Sequence, residues 1–250
     1  MGFFNNFFSK NRGYVMPVDL SVFKVDMHSH LIPNIDDGSK SIDETVNMLL
    51  KFESMGYRKV ITTPHIMSDH YPNTKEVIIK GLKDVRRELS KLNLDIILEV
   101  AAEYYFDYEL MNNIINKEEL LVFGDNYLLV EFPFHSKPNE IEKLFFQLLL
   151  QGYKPVVAHF ERYLYFNDIV SLAREWREKG IFIQLNFSSV FNFYGREVRC
   201  RAEKLIDSKQ VDFAATDCHN IENLILLESN RSKEYLYKLS CIDLRNSDLI

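Results

Sequence analysis

Six short stretches of this 250-residue chain hold side chains that bind metal ions well: Asp26, His28 and His30; His65; Glu103; Glu131; His159 with Arg162; and Asp217 with His219. Five of the seven histidines fall in these stretches, each near an acidic residue, which scattered surface histidines would not do. Residues two apart on an extended strand point to the same side, so His28 and His30 can grip one ion, and Asp217 and His219 can do the same. Imidazole and carboxylate donors without cysteine suit manganese, iron, zinc or magnesium. More than five mixed donors imply more than one ion. Such a cluster activates water and neutralises the oxygens of a transferring phosphoryl group, so the chemistry expected is metal-assisted hydrolysis of a phosphate ester. Arg162, three residues after His159, offers a bidentate fork to the same phosphate. The plainer alternative for Arg162 is a structural ion pair.

These residues need elements that bring them to one place. Apolar runs that read as strands cover Phe23–Met27, Lys59–Thr63, Asp95–Ala101, Tyr127–Glu131, Pro155–Ala158, Ile181–Leu185 and Val211–Ala215. Continuous apolar runs fit parallel strands buried on both faces. Helical patterns alternate with them, for example Ile42–Met55, which opens on a Ser41/Glu44 capping box and stops at Gly56. Strand alternating with helix predicts an α/β fold, and seven units predict a distorted (β/α)7 TIM-like barrel in a single domain. An open doubly wound sheet is the alternative. Six of the seven strands end in candidate ligands, and in a parallel barrel those ends share one face. The domain is expected over 23–250, with 1–22 as an N-terminal arm.

Composition narrows the class. Hydrophobic residues at 46% and charged residues at 26% fit a globular chain with a large core, and a diffuse net charge of −6 disfavours nucleic acid as partner. Cys200, Cys218 and Cys241 form no CxxC pair, so reduced thiols and a cytoplasmic location are expected. No stretch reaches the ~20 apolar residues of a membrane span. The Phe-rich start is a poor signal peptide and is expected to be an arm that at most touches a membrane peripherally. His70 reads as a solvated loop residue, and His135 as a candidate for the mouth of the site.

The motifs DMHSHLIPNIDDGSKS (26–41), TTPH (62–65), AAEYY (101–105), LVEF (129–132), VAHFERY (157–163) and ATDCHN (215–220) resemble the polymerase-and-histidinol-phosphatase (PHP) superfamily. Within it they resemble the bacterial tyrosine-protein phosphatases of capsule and exopolysaccharide operons. The resemblance runs from about Asp26 to His219. It implies three divalent ions, manganese first among them. His28, His30, Glu103 and Asp217 would hold the first ion. Glu103 would bridge to a second, completed by Glu131 and His159, and Asp37, His65 and His219 would hold a third. Asp26 and Asp36 would orient ligands, and Arg162 would bind phosphate. It also implies a phosphotyrosine protein as substrate, a tyrosine autokinase of polysaccharide export. Two features depart from the pattern. The stretch after His219 lacks the arginine many relatives carry, and Ile66–Thr74 lacks basic residues, which leaves Arg196, Arg199 and Arg201 as further phosphate-binding candidates. A small alkyl phosphate such as histidinol phosphate, or a non-catalytic phosphoprotein-binding module, are the alternatives. Cysteine-based catalysis is disfavoured, because no Cys-x5-Arg loop is present.

Overall fold

A computed structural model describes residues 16–92 and 94–250. Nine strands are described: β1 (Val25–Asp26), β2 (Lys59–Thr62), β3 (His65–Ile66), β4 (Ile97–Val100), β5 (Glu103–Tyr105), β6 (Tyr127–Glu131), β7 (Lys154–Val157), β8 (Phe182–Asn186) and β9 (Phe213–Ala215). The helices between and after them are α1 (Ile42–Ser54), α2 (Lys75–Leu89), α3 (Tyr108–Ile115), α4 (Ile141–Leu150), α5 (Ile169–Glu178), α6 (Arg196–Asp207), α7 (Ile221–Ser229) and α8 (Glu234–Ser240).

Every strand pairing is parallel, in the orders β1-β2-β4 and β3-β5-β6-β7-β8-β9. Thr63–Pro64 interrupts β2 and β3, and Ala101–Ala102 interrupts β4 and β5. Pro64 has no N–H to give to a ladder. Hydrogen bonds still carry the sheet across both breaks, from Ala101 N to Thr62 O (2.9 Å) and from Glu103 N to Pro64 O (3.1 Å). Counting each interrupted pair as one strand, the nine become the seven positions expected.

The curled sheet meets itself between β1 and β9. Ser29 bridges Cys218 in parallel, His30 N donates to Cys218 O (2.8 Å), and Asp217 N donates to His28 O (2.9 Å). Asp26 accepts from Thr216 N (2.8 Å) and Thr216 Oγ1 (3.0 Å). Further down, the side-chain amide of Asn246 replaces the missing ladder. Its Nδ2 donates to Val25 O (2.9 Å) and Ala214 O (2.7 Å), and its Oδ1 accepts from Ala214 N (3.0 Å). One core lies inside the sheet, with Val25, Ile61, Leu129, Val156, Phe213 and, from the C-terminal segment, Leu249. A larger core fills the space under the helices.

The first strand boundary differs from that read in the sequence. Leu20–Phe23 is a 3-10 helix capped by the Asp19 carboxylate, so Phe23 is not in a strand. Val18 and Leu20 are buried with the helix-side core, so this part of the N-terminal arm packs against the domain. The proposed membrane contact of the first residues lies outside the described ones. Helix α1 is capped as expected at Ser41, whose Oγ accepts from Glu44 N (3.1 Å), but the Glu44 carboxylate reaches Lys40 N (2.7 Å) instead of closing the box. Gly56 follows the helix with φ +90°, the left-handed stop that glycine adopts freely. No described helix is long and apolar enough to cross a membrane.

The Asn246 amide gives a direct stability test. Asn246→Ala leaves two carbonyls and one N–H unpaired inside the barrel, and each orphaned buried group costs about 1–3 kcal/mol. Denaturant unfolding is expected to show a loss of at least ~2 kcal/mol. A loss near zero would mean that the seam does not depend on this amide.

Candidate metal centre

All nine candidate ligands converge at the C-terminal ends of the strands, where β1 and β9 meet. His28 Nε2 and His30 Nε2 are 3.3 Å apart. Both face Glu103 Oε2, at 3.2 and 3.4 Å, and Asp217 Oδ1, at 3.3 and 3.5 Å. His159 Nε2 lies 3.1 Å from Glu103 Oε1 and 3.5 Å from Glu131 Oε1. Asp37 Oδ1 stands between His65 Nε2 (3.6 Å) and His219 Nε2 (3.4 Å). The donor atoms form overlapping groups: His28, His30 and Glu103; His65, Glu103 and Glu131; and His30, Asp37, His65 and His219. Glu103 is thus shared as expected, while His30 and His65 each also reach a neighbouring group.

Local backbone, more than strand extension, aims these side chains. Beyond β7 and β9 the chain turns into the left-handed region at His159 (φ 31°) and Asp217 (φ 51°), which brings the side chains inward. Asp217 and His219 therefore meet across a bent backbone, with Oδ1 and Nδ1 3.5 Å apart, and not along a straight strand. Gly38 lets Asp37 approach, since a Cβ there would lie 2.2 Å from His30 O.

Hydrogen bonds fix which imidazole nitrogen is free. Asp36 accepts from His30 Nδ1 (2.9 Å), as expected of a residue that orients a ligand. Asp26 instead holds Thr216, next to Asp217. The Asp217 carbonyl accepts from His219 Nδ1 (2.8 Å). Strand β8 supplies no ligand but carries two buried amides that the sequence reading missed. Gln184 Oε1 accepts from His159 N (2.8 Å) and from His28 Nδ1 (3.1 Å), and its Nε2 donates to Asn186 Oδ1 (2.8 Å). Asn186 Nδ2 then donates to Asp217 Oδ2 (2.7 Å). The backbone N–H fixes the orientation of the Gln184 amide, so His28 must donate from Nδ1 and keep Nε2 as an acceptor.

Several buried atoms here lack the partners their burial demands. His65 Nδ1 and Glu103 Oε2 are 3.1 Å apart without hydrogen-bond geometry, and both are unsatisfied, as is His159 Nδ1. Burial pushes the Glu103 carboxyl up, but the imidazoles of His28, His65 and His159 outweigh it and hold it well below the usual range. Burial and the Glu103 charge push Glu131 well up. At His30 burial favours the neutral ring, and Asp36 and Asp217 reverse that, raising its pKa. Protons thus share this site among competing groups in the way cations would, and the donor set fits bound divalent metal.

The mouth above these groups is a cavity of about 310 Å³ lined by Phe134, Arg162, Phe193, Tyr194, Asn220 and Asn223 as well as ligand residues. Arg162 is the only lysine or arginine among these lining residues, and its Nη1 is 3.4 Å from Asp217 Oδ2. Arg196, Arg199 and Arg201 do not line the cavity, which corrects the expectation for that segment. Arg201 is buried and donates to the carbonyls of Glu161 (3.0 Å), Tyr163 (2.8 Å) and Phe166 (2.7 Å), so it braces the turn that carries Arg162. His70 and His135 are exposed and do not line the cavity, but Tyr71 beside the first stacks on His65 at 5.4 Å. Cys218 packs against Met48 in the helix-side core, facing away from the ligands on either side of it, and all three cysteines are free.

Residues 24–226 match the family described as capsular polysaccharide synthesis, CpsB/CapC. The chain belongs to this family. Similar CpsB/CapC proteins include CapC of Staphylococcus aureus, 33% identical over 80% of this chain and 78% of that protein. The tyrosine-protein phosphatase YwqE of Bacillus subtilis is 28% identical, over 86% of this chain and 88% of that one. A crystal structure from the pair YwqE of Bacillus subtilis and CpsB of Streptococcus pneumoniae, described as metal-dependent tyrosine phosphatases, superposes with a TM-score of 0.72. It has 27% identity and covers 89% of this chain and 94% of that one. An amidohydrolase from Mycoplasma synoviae shares the fold alone, with a TM-score of 0.53 at 10% identity.

The amides of β8 generate a test specific to this CpsB/CapC chain. Gln184→Leu removes the acceptor that keeps His28 Nδ1 protonated, and losses of this kind cost about 10–100-fold in metal affinity. Manganese titration by calorimetry checks this, and unchanged affinity would show that His28 orients itself without help. The same titration in buffers of different ionisation enthalpy is expected to show proton release, because ligand imidazoles must be neutral and carboxylates ionised. With the His30 pKa raised, affinity should fall as the pH drops through that raised value.

Proposed function

We propose that this protein is a metal-dependent protein-tyrosine phosphatase that acts on a phosphotyrosine protein, a tyrosine autokinase of capsular or exopolysaccharide synthesis. Its cofactors in this reading are three divalent ions, manganese first, held by His28, His30, Glu103 and Asp217; by Glu103, Glu131 and His159; and by Asp37, His65 and His219. The observation that carries the reading is the convergence of nine donors, eight buried or half-buried and Asp37 exposed, beneath a cavity walled by one arginine and three aromatic rings. The family match and the phosphatase relatives support the reaction and the capsule setting. Three free thiols support a cytoplasmic location.

Bound ions would supply Lewis acidity to the phosphoryl group and activation of water. The chain's own contribution begins with charge. Asp37, Glu103, Glu131 and Asp217 make the unliganded mouth repel an anion, and Arg162 is the lining residue that attracts one. Its fork can take two phosphoryl oxygens at once. Gln184, Asn186 and Asp36 hold the donor side chains in place before substrate arrives. Tyrosine leaves as a phenolate whose conjugate acid has a pKa of about 10, so the leaving group needs less protonation than an alkyl alcohol would.

Metal-analysed protein assayed on a phosphotyrosine peptide, a phosphoserine peptide and histidinol phosphate tests this. The expected result is turnover of the first, loss of activity on chelation, and recovery with manganese. Preference for histidinol phosphate would support a small-molecule phosphatase, and binding without turnover a recognition module. Arg162→Ala is expected to keep the metals and lose about 2–4 kcal/mol of transition-state stabilisation in kcat/KM, as when a preorganised donor is removed. Arg162→Lys should recover part of that, because an ammonium lacks the planar fork. Loss of metal from Arg162→Ala would make the arginine structural.

A further inference from the structure

Arg162 is held in an unusual way. Most of a half-buried guanidinium's donors are expected to be paired, yet among the described residues its one side-chain hydrogen bond is the long contact of 3.4 Å to Asp217 Oδ2. What surrounds it instead is aromatic. Its Cζ sits 4.3 Å from the centroid of the Phe134 ring and 4.2 Å from that of Tyr194. Both distances lie within the ~6 Å reach of a cation–π contact.

The rings come from separate parts of the chain. Phe134 follows β6 and packs on Tyr163 with centroids 5.6 Å apart and an interplanar angle of 21°. Tyr194 lies in the loop before α6, where Phe193 meets it edge-on at 4.9 Å. Phe134 is 36% exposed, a placement that burial of apolar surface does not explain. Behind the arginine, Arg201 fixes the turn through three carbonyls. The turn's carbonyls are therefore held by Arg201, and the guanidinium is held by contact with two rings.

A carboxylate partner would hold Arg162 equally well, but it would occupy the N–H fork. Aromatic faces attract the cation through the ring quadrupole and leave the in-plane N–H groups free. We propose that Phe134 and Tyr194 are positioning residues that hold Arg162 through their rings, so that most of its fork is presented to a phosphoryl group with only the long Nη1 contact to Asp217 competing for it. This deepens the phosphatase reading and rests on it for the identity of the ligand as a phosphate ester.

The test uses manganese-loaded full-length protein with inorganic phosphate as the probe, measured by calorimetry alongside metal stoichiometry. Phe134→Leu and Tyr194→Leu are each expected to weaken phosphate binding about 3–30-fold, the range for a partly desolvated cation–π contact, with metal content unchanged. Tyr194→Phe keeps the ring and should recover most of what Tyr194→Leu loses. In an Arg162→Ala background the leucine changes should have no further effect, since coupled residues are not additive. Binding within twofold of the parent in both leucine variants overturns the clamp. So does a Tyr194→Phe as weak as Tyr194→Leu, or additivity with Arg162→Ala. Turnover of the phosphotyrosine peptide by the parent protein is measured separately. Its failure counts against the phosphatase reading, while the phosphate titrations still decide the clamp.

Discussion

Burying ionisable groups beside one another is the constraint on which the rest of this structure depends. His28, His30 and Glu103 are fully buried, and Glu131, His159 and Asp217 nearly so. A lone buried carboxylate or imidazolium is too costly to survive in a folded protein, so such groups persist only with counter-charge and hydrogen bonds. Each carboxylate here faces imidazoles, and each imidazole on the β1 side is tied through its second nitrogen. Two atoms left without partners, His65 Nδ1 and Glu103 Oε2, lie where the donors converge.

This constraint also shapes the barrel. His28 and His30 lie on one side of the closing seam, and Asp217 and His219 on the other. The same backbone bonds that join Ser29 to Cys218 set the distance between the ligand pairs. Closure of the sheet and assembly of the site are therefore one event. Near the bottom of the seam no ligand is needed, and the Asn246 amide is enough to span the gap. Strand breaks at Pro64 and Ala101–Ala102 fall just before His65 and Glu103, and left-handed residues fall at His159 and Asp217. A non-glycine residue in the left-handed region costs roughly 1–2 kcal/mol. The strain sits at the site, where surrounding packing holds it.

The mouth solves a different problem. A site made of four carboxylates and five imidazoles has little attraction for an anion until cations fill it. Arg162 adds positive charge at the wall, touching the Phe134 and Tyr194 rings and making one long contact of 3.4 Å to the Asp217 carboxylate. Asn220 and Asn223 stand on the wall beside His219, so neutral amides and no further charge face the cavity there. The Asn223 carboxamide oxygen is occupied by His219 N (3.0 Å) and Asn220 N (3.3 Å), which makes it a brace for the last ligand loop.

Much of this was legible in the chain because strand ends and ligand types are local signals. An apolar run followed by His, Asp or Glu can be read without knowing its neighbours, and parallel topology then dictates that such ends share a face. The class of fold, eight of the donors and Arg162 come from that logic, while Asp37, in the loop before α1, was implied only by the family resemblance. Asp26 and Asp36 could be flagged but not separated, because one holds a backbone and the other an imidazole, and only contact distances tell them apart. Gln184, Asn186, Phe134 and Tyr194 carried no signal, since amides and aromatics occur everywhere and act here through partners 25 or more residues away. Arg201 was misread as a phosphate ligand for the same reason. The sequence alone determined that residues of metal-binding type gather at the strand ends. Only the tertiary structure decided which nitrogen each imidazole offers, which arginine faces the cavity and what holds it there, because those depend on contacts between residues the chain keeps far apart.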